Sequence, residues 1–183
     1  MDDGRTDAEL VAVARARGPD ADEAFAVLVD RHHARLVRYL HHLLHDAGAA
    51  DDVAQQAFVR AYLALDRFRG DASFSTWLRS IATRAAYNHI RSATRRRGYE
   101  AMADPPTPSG GDQVADADII NKVMAALPHP YREVIVLRHL EELPVDEIAR
   151  VLGISTSAAK MRLSRARERF FAIMQSMEGP HAS

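Results

Sequence analysis

Apolar residues recur every three to four positions along most of the chain, which is the spacing of an amphipathic helix. The clearest run comprises Phe25, Leu28, Val29, Leu36, Val37, Leu40, Leu43 and Leu44. A further helix is predicted from about Ala49 to Leu65, and another begins near Ser73. No stretch alternates apolar and polar residues with the period of a β-strand. The pattern therefore predicts an all-α fold.

The helical pattern is interrupted between about residues 96 and 115. The segment Asp104–Gly111 has prolines that lack backbone donors and glycines that are costly to order, so a helix is disfavoured there. Acidic residues predominate, and no Lys or Arg occurs between Glu100 and Asp118. We therefore predict two small helical domains, residues 1–95 and 116–176, joined by a flexible acidic linker at residues 96–115.

Composition narrows the class of protein. The 183 residues include no cysteine, which excludes disulfides and thiolate metal sites and suits a reducing cytoplasm. The chain has no apolar run long enough for a transmembrane helix, and its acidic start does not resemble a secretory signal. The formal net charge is only −1, but basic residues cluster at Arg84–Arg97 and Lys160–Arg169. Two separate basic segments suggest two contacts with one polyanion.

The C-terminal part contains the pattern of a helix-turn-helix. A short helix over Pro144–Leu152 is followed by Gly153, where a left-handed helix cap favours glycine. Ser155 or Thr156 can then cap a second, basic helix. In this motif the second helix enters the DNA major groove, where arginines address guanine edges or phosphates. A surface helix with a solvated charged face is the alternative, and the preceding helix and glycine favour the DNA interpretation.

The segment Leu65–Trp77 is a short polar loop with aromatic residues at both ends. An aromatic ring beside an arginine, as at Phe68 and Arg69, can stack an unpaired base of single-stranded DNA. The alternative is that the aromatic residues belong to the core, and for Phe74 and Trp77 we favour that alternative.

Taken together, these segments resemble the extracytoplasmic-function (ECF) sigma factors of bacterial RNA polymerase. The resemblance covers nearly the whole chain outside the linker and termini, and the order and spacing of its motifs are highly specific. The matching stretches are Ala24–Arg38, Asp51–Phe58, Ala64–Gly70, Phe74–Leu78, Leu127–Arg138, Glu147–Ala149 and Lys160–Arg167.

The resemblance implies three groups of binding residues. Those for core RNA polymerase are Asp51, Asp52, Gln55, Gln56 and Phe58. Those for the minus-ten promoter element, as melted single strand, are Phe68, Arg69, Asp71, Ser73, Thr83, Arg84, Tyr87, Asn88 and Arg91. Those for the duplex minus-thirty-five element are Ser155, Thr156, Ser157, Lys160, Met161, Arg162, Ser164, Arg165 and Arg167. An anti-sigma factor is a further expected partner.

Four positions depart from the family pattern. Gln56 and Ala57 replace a carboxylate or threonine, Arg84 replaces a common asparagine, and Pro144 replaces the usual cap of the first helix of the helix-turn-helix. A proline can still begin that helix, because its missing N–H would have had no helical partner.

Two rival functions use other features. A stand-alone helix-turn-helix regulator would bind duplex operators as a dimer, but gives no reason for the Phe68–Ser73 loop. A metalloenzyme would use the histidine-rich helix near the N-terminus, the one that contains Phe25 to Leu44. His41 and His45 are four residues apart there, and Asp46 is the nearest further candidate ligand. Exposed histidines are the favoured interpretation, with a pH effect left open. We expect no metal, no cofactor and no enzymatic activity.

Overall fold

A computed structural model describes residues 4–99 and 115–178 of the chain. All regular secondary structure in these residues is helical, which confirms the all-α prediction. The helices are α1 (Asp7–Arg15), α2 (Ala21–Leu44), α3 (Ala47–Leu63), α4 (Phe74–Tyr99), α5 (Ala115–Ala126), α6 (His129–Ile135), α7 (Val145–Leu152) and α8 (Thr156–Glu178). A 3₁₀ turn covers Leu65–Arg67 and a π-helical turn covers Val136–Leu140.

The predicted linker lies largely outside the described residues. Within them, α4 continues to Tyr99 and so takes in the first residues of the segment predicted as linker. None of the helices between residues 4 and 99 or 115 and 178 combines the length and hydropathy that crossing a bilayer requires.

The N-terminal half is a bundle in which α3 packs against both α2 and α4. Its packing face is a row of fully buried alanines, Ala50, Ala54, Ala57 and Ala61. Side chains this small let the neighbouring helices approach closely. Larger apolar residues fill the space around them, among them Leu40 of α2 and Leu78 of α4. This core holds α4 by one side and leaves its other sides for polar contacts.

The C-terminal half contains the predicted helix-turn-helix, α7 and α8. Gly153 ends α7 in the left-handed conformation, with φ of 65°. Pro144 lies at the N-cap position, so α7 begins one residue later than predicted, at Val145. α8 packs against α5, α6 and α7, and it buries Ala159, Leu163 and Ala166.

The π-helical turn connects α6 to the helix-turn-helix. Its wider ring is closed by the Glu141 amide, which donates to the Val136 carbonyl at 3.0 Å. Glu142 then adopts a positive φ of 55°. The turn leaves the Glu141 side chain almost fully buried, with 4 % of the residue exposed. Such turns often occur at functional positions.

The two halves pack directly on one another. α4 contacts α7, and α2 contacts both α6 and the π-helical turn. Arg132 of α6 donates to the Leu43 carbonyl near the end of α2 at 2.9 Å. The sequence led us to expect freely moving domains, and this interface is a feature that it did not indicate.

Candidate nucleic-acid interface

The second helix of the helix-turn-helix presents a polar surface to solvent. Ser155, one of the two caps that the sequence offered, accepts a hydrogen bond from the Ala158 amide at 3.2 Å. Ser157, Lys160, Met161 and Ser164 are exposed on the side opposite the buried stripe of α8. The exposed residues also include Thr156, Arg165 and Arg167. The helix is thus held by its apolar side with its polar side free to enter a groove.

Arg162 differs from the other basic residues of this helix. It is only partly exposed. Burial raises the pKa of Tyr87 and of Glu133, which lie at the interface between the halves, and the Arg162 charge opposes that rise in both. Arg162 therefore faces the N-terminal half, whereas Lys160 and Arg165 face solvent. A role for Arg162 in groove binding requires a different arrangement of the two halves.

In the N-terminal half, the Phe68 ring belongs to an aromatic cluster. Its centroid lies 5.2 Å from that of Trp77 and 6.1 Å from that of Phe74. Phe74 is buried and Trp77 is partly buried, in agreement with the core interpretation of these two residues. Arg15 holds the loop by donating to the Phe68 carbonyl at 3.3 Å. The cluster anchors the loop, and the Phe68 ring is only partly accessible for base stacking.

The loop after the cluster presents Arg69 and Asp71, which are both exposed. Ser73 is also exposed, but its hydroxyl accepts from the Thr76 amide at 3.1 Å and so caps the start of α4. We assign this hydroxyl a structural role in addition to any contact with DNA.

The predicted minus-ten residues of α4 lie on two different sides. Arg84, Asn88 and Arg91 are exposed. Thr83 is buried and forms a hydrogen bond of 2.8 Å with the Tyr39 hydroxyl, so its side chain is not accessible to a nucleotide in this arrangement. Tyr87 is partly covered by α6, and its hydroxyl donates to Glu133 at 2.8 Å.

Glu133 is the most unusual titratable group of the interface. Its side chain is completely buried, and its Oε1 atom has no hydrogen-bond partner among the described residues. Burial raises the pKa of Glu133 to about 7, against the opposing effects of the Tyr87 hydrogen bond and the Arg162 charge. Next to it, burial lowers the pKa of His129, whose ring lies 4.4 Å from that of Tyr87, to about 4.

The predicted polymerase-binding side of α3 is mostly exposed. Asp51, Asp52, Gln55 and Gln56 face solvent. Phe58 does not, because it is 5 % exposed and stacks against His33, so its predicted surface role does not fit its position.

Two apolar residues of α3 are exposed, and we did not predict them as site residues. Val59 is 60 % exposed and Leu63 is 70 % exposed. Both follow Asp52 and Gln56 at helical spacing, so all four share one side of the helix. That spacing is the signal that would have identified them.

The histidine-rich helix does not gather a ligand set. Within residues 4–99 and 115–178, no three potential ligands of the His, Cys, Asp and Glu types come together around a metal-sized site. Asp46 instead caps α3 by accepting from the Ala49 amide at 3.0 Å. His45 ends α2 in a left-handed conformation, and burial lowers its pKa to about 4.

Comparison with known proteins covers both halves of the chain. Residues 28–96 match the Sigma-70 region 2 family and residues 117–170 match the Sigma-70, region 4 family. The RNA polymerase sigma-H factor of Pseudomonas aeruginosa is 32 % identical over 84 % of this chain and 88 % of that protein. The ECF RNA polymerase sigma factor SigW of Bacillus subtilis is 33 % identical over 80 % of this chain and 86 % of that protein.

A similar solved structure is that of CnrH in complex with the cytosolic domain of CnrY. It superposes with a TM-score of 0.67 at 29 % identity, over 92 % of this chain and 96 % of that chain. The fold, the two matching family regions and the relatives all indicate the same family. The chain belongs to the ECF family of RNA polymerase sigma factors.

Proposed function

We propose that this protein binds core RNA polymerase and directs initiation at specific promoters, with each half reading one promoter element. The observation that carries the proposal is the exposed polar side of α8, held behind the Gly153 turn in the order of a helix-turn-helix. Lys160 and Arg165 on that helix are suited to guanine edges and phosphates of the minus-thirty-five element.

The N-terminal half would read the minus-ten element. Arg69 and Asp71 of the loop, with the exposed side of α4 at Arg84, Asn88 and Arg91, form the accessible part of the predicted surface. Exposing a base costs a few kcal/mol, and a pocket together with cations on the phosphates offsets this cost. The proposed division is residues 1–95 for this domain, 96–115 for the linker and 116–176 for the upstream-reading domain.

The exposed side of α3 would dock on core polymerase. Asp52 and Gln56 supply charge and hydrogen bonds, while Val59 and Leu63 supply apolar area that is exposed in the protein alone. An interface that combines an apolar centre with a polar rim is typical of specific protein contacts. A basic, partly apolar partner surface fits this composition.

We further propose that an anti-sigma factor controls the protein and that it acts in the cytoplasm. CnrH, which shares this fold at 29 % identity, has been solved with the cytosolic domain of CnrY. That relationship supports a protein partner for this chain. The absence of cysteine from the sequence is compatible with a reducing compartment.

Run-off transcription with core polymerase tests the proposal. Fragments of the source genome are transcribed with and without the protein, and the RNA 5′ ends are sequenced. We expect new start sites that share two upstream motifs and that weaken when Lys160 and Arg165 are both replaced by alanine. Absence of new start sites with an active core enzyme would reject the proposal. Operator binding without polymerase, and no change in start sites, would favour a stand-alone regulator.

A further inference from the structure

Three glutamates of the C-terminal half lie along one side of α4. The three hydrogen-bonded pairs are Thr76–Glu147 at 2.7 Å, Arg79–Glu141 at 2.5 Å and Tyr87–Glu133 at 2.8 Å. The α4 partners span eleven positions, or about 16 Å at the rise of an α-helix. Carboxylates from α6, from α7 and from the residue that follows the π-helical turn therefore form a row along the helix that carries predicted minus-ten residues.

The strongest contact in this row is a pair of arginines on one carboxylate oxygen. Arg35 of α2 and Arg79 of α4 both bond Oε2 of Glu141, with N–O distances of 2.9 and 2.5 Å. The Arg79 side chain is 5 % exposed, and the Arg35 side chain is 53 % exposed. Two guanidinium groups from different helices thus converge on one anion that the opposite half supplies.

The two arginines belong to the N-terminal half, on helices whose contact does not involve the C-terminal half. Both helices belong to the same core and pack against one another. Loss of Glu141 with the interface still closed would leave a buried Arg79 without an anion, at a desolvation cost. Arginine groups bind carboxylates and phosphates with the same geometry, because both offer acceptor oxygens only. The pair is therefore a preformed anion site whose occupant in this structure is Glu141.

We propose that Arg35 and Arg79 form a binding site for a backbone phosphate of promoter DNA, which Glu141 occupies while the two halves are packed together. The proposal rests on the proposed promoter-reading function and adds a contact and its intramolecular competitor. DNA is the favoured occupant because Arg79 shares α4 with the predicted minus-ten residues. Opening the interface would free the arginine pair and uncover Tyr87 at the same time.

Competition of this kind lowers the apparent affinity for DNA. Only the fraction of molecules with Glu141 released can bind a phosphate there, and the measured Kd rises by the inverse of that fraction. Weakening the Glu141 contact should therefore strengthen DNA binding, although it removes no DNA contact and adds none.

The first test compares Glu141→Gln with Glu142→Gln. Each substitution removes one negative charge, but Glu142 is exposed and makes none of the Arg35 and Arg79 contacts, so it controls for general charge effects. Binding of a labelled, mixed-sequence single-stranded oligonucleotide of about 20 nucleotides is followed by anisotropy, since a phosphate contact is independent of sequence. We expect about tenfold tighter binding for Glu141→Gln than for Glu142→Gln, and equal affinities would overturn the proposal.

The second test removes the site itself. In the Glu141→Gln background, Arg79→Gln should cancel the gain and reduce the salt dependence of log K by about 0.7, the value for one phosphate contact in single-stranded DNA. Arg35→Gln, at a half-exposed position, should act in the same direction. Retention of the full gain in both double variants would show that the arginines are not the phosphate site.

The third test measures opening directly. Because the chain has no cysteine, Ala26→Cys on α2 and Gln175→Cys on α8 give one exposed label on each half. Energy transfer between the labels should fall in Glu141→Gln and on addition of the oligonucleotide. Unchanged transfer in both cases would contradict competition between Glu141 and DNA.

These measurements use no polymerase, so they can reject the phosphate site without rejecting the proposed function. If transcription directed by the wild-type protein is intact while Glu141→Gln binds like Glu142→Gln, the phosphate site is rejected and the sigma-factor function stands. If the oligonucleotide results are as expected but no promoter-specific RNA forms, the anion site stands and its assignment to promoter DNA is rejected.

Discussion

Replacing Glu133 by glutamine should remove a pH-dependent loss of stability from this protein. Glu133 is completely buried between α6 and α4, and within the described part of the chain only one of its carboxyl oxygens is hydrogen-bonded, to the Tyr87 hydroxyl. Burial penalises its charged form and raises its pKa from 4.5 to about 7. Glutamine keeps the shape and an acceptor for Tyr87 but cannot ionise.

The direction in which the free energy of unfolding changes with pH follows from the pKa of Glu133 in the unfolded chain and in the folded chain. Below pH 4.5 the carboxyl is protonated in both the folded and the unfolded chain, and it has no pH-dependent effect. Between 4.5 and about 7 only the unfolded chain loses the proton, so the free energy of unfolding falls as the pH rises. At about 1.4 kcal/mol per unit, the full loss is about 3 kcal/mol, of which about 2.5 kcal/mol falls between pH 5 and pH 8.

Two partly desolvated histidines, His45 and His129, act in the opposite direction. Burial lowers the pKa of both His45 and His129 to about 4, so the folded chain disfavours their protonation. Their effect increases the free energy of unfolding as the pH rises from about 4 to 6.5. A plot of the free energy of unfolding of the wild-type protein against pH contains both effects. Only the difference between this plot and that of Glu133→Gln isolates the effect of the Glu133 carboxyl.

The assay is urea unfolding of the full chain, followed by circular dichroism at several values between about pH 5 and pH 8. The difference between Glu133→Gln and wild type should grow by about 2.5 kcal/mol across this range. The exposed control Glu142→Gln should run parallel to wild type. Parallel curves for Glu133→Gln and wild type would refute the argument that burial controls this carboxyl.

Three further outcomes are expected from the surfaces and turns. Arg165→Ala should weaken binding to a minus-thirty-five duplex by roughly 1–3 kcal/mol and relax base preference, whereas unchanged affinity and preference would remove Arg165 from base reading. Asp52→Lys should reduce core-polymerase affinity in a pull-down that the matched reversal Asp30→Lys, on exposed α2 surface, leaves unchanged. Gly153→Ala should cost about 1 kcal/mol in thermal unfolding through its φ of 65° alone, because among the described residues nothing beyond its two chain neighbours lies within 4 Å of the added methyl group. An unchanged melting temperature would contradict a strained turn.

Local sequence was sufficient for the elements of this protein and for its family. The spacing of apolar residues predicts the helices because one side of each must face a core. Gly153 and Ser155 predict the turn and cap of the helix-turn-helix because left-handed backbone and unpaired amide groups are requirements of the chain itself. The exposed residues of α8 followed from the same periodicity.

Accessibility of individual side chains was less predictable. Phe58 and Thr83 belong to motifs with predicted surface roles, yet one packs against His33 and the other bonds Tyr39. The position of a residue in a helix predicts on which side of that helix it lies. It does not predict whether a neighbouring helix covers that side. Val59 and Leu63 illustrate the converse, since apolar residues are usually assigned to a core and these two are exposed.

Only the tertiary structure decided that the two halves meet and what the contact consists of. Glu141 lies 62 positions from Arg79 and 106 from Arg35, so no local pattern relates them. The π-helical turn and the helical packing bring them together, and burial at the contact also sets the pKa of Glu133. The sequence by itself therefore determined helices, turn and family, while desolvation and the convergence of distant charges exist only once the chain has folded.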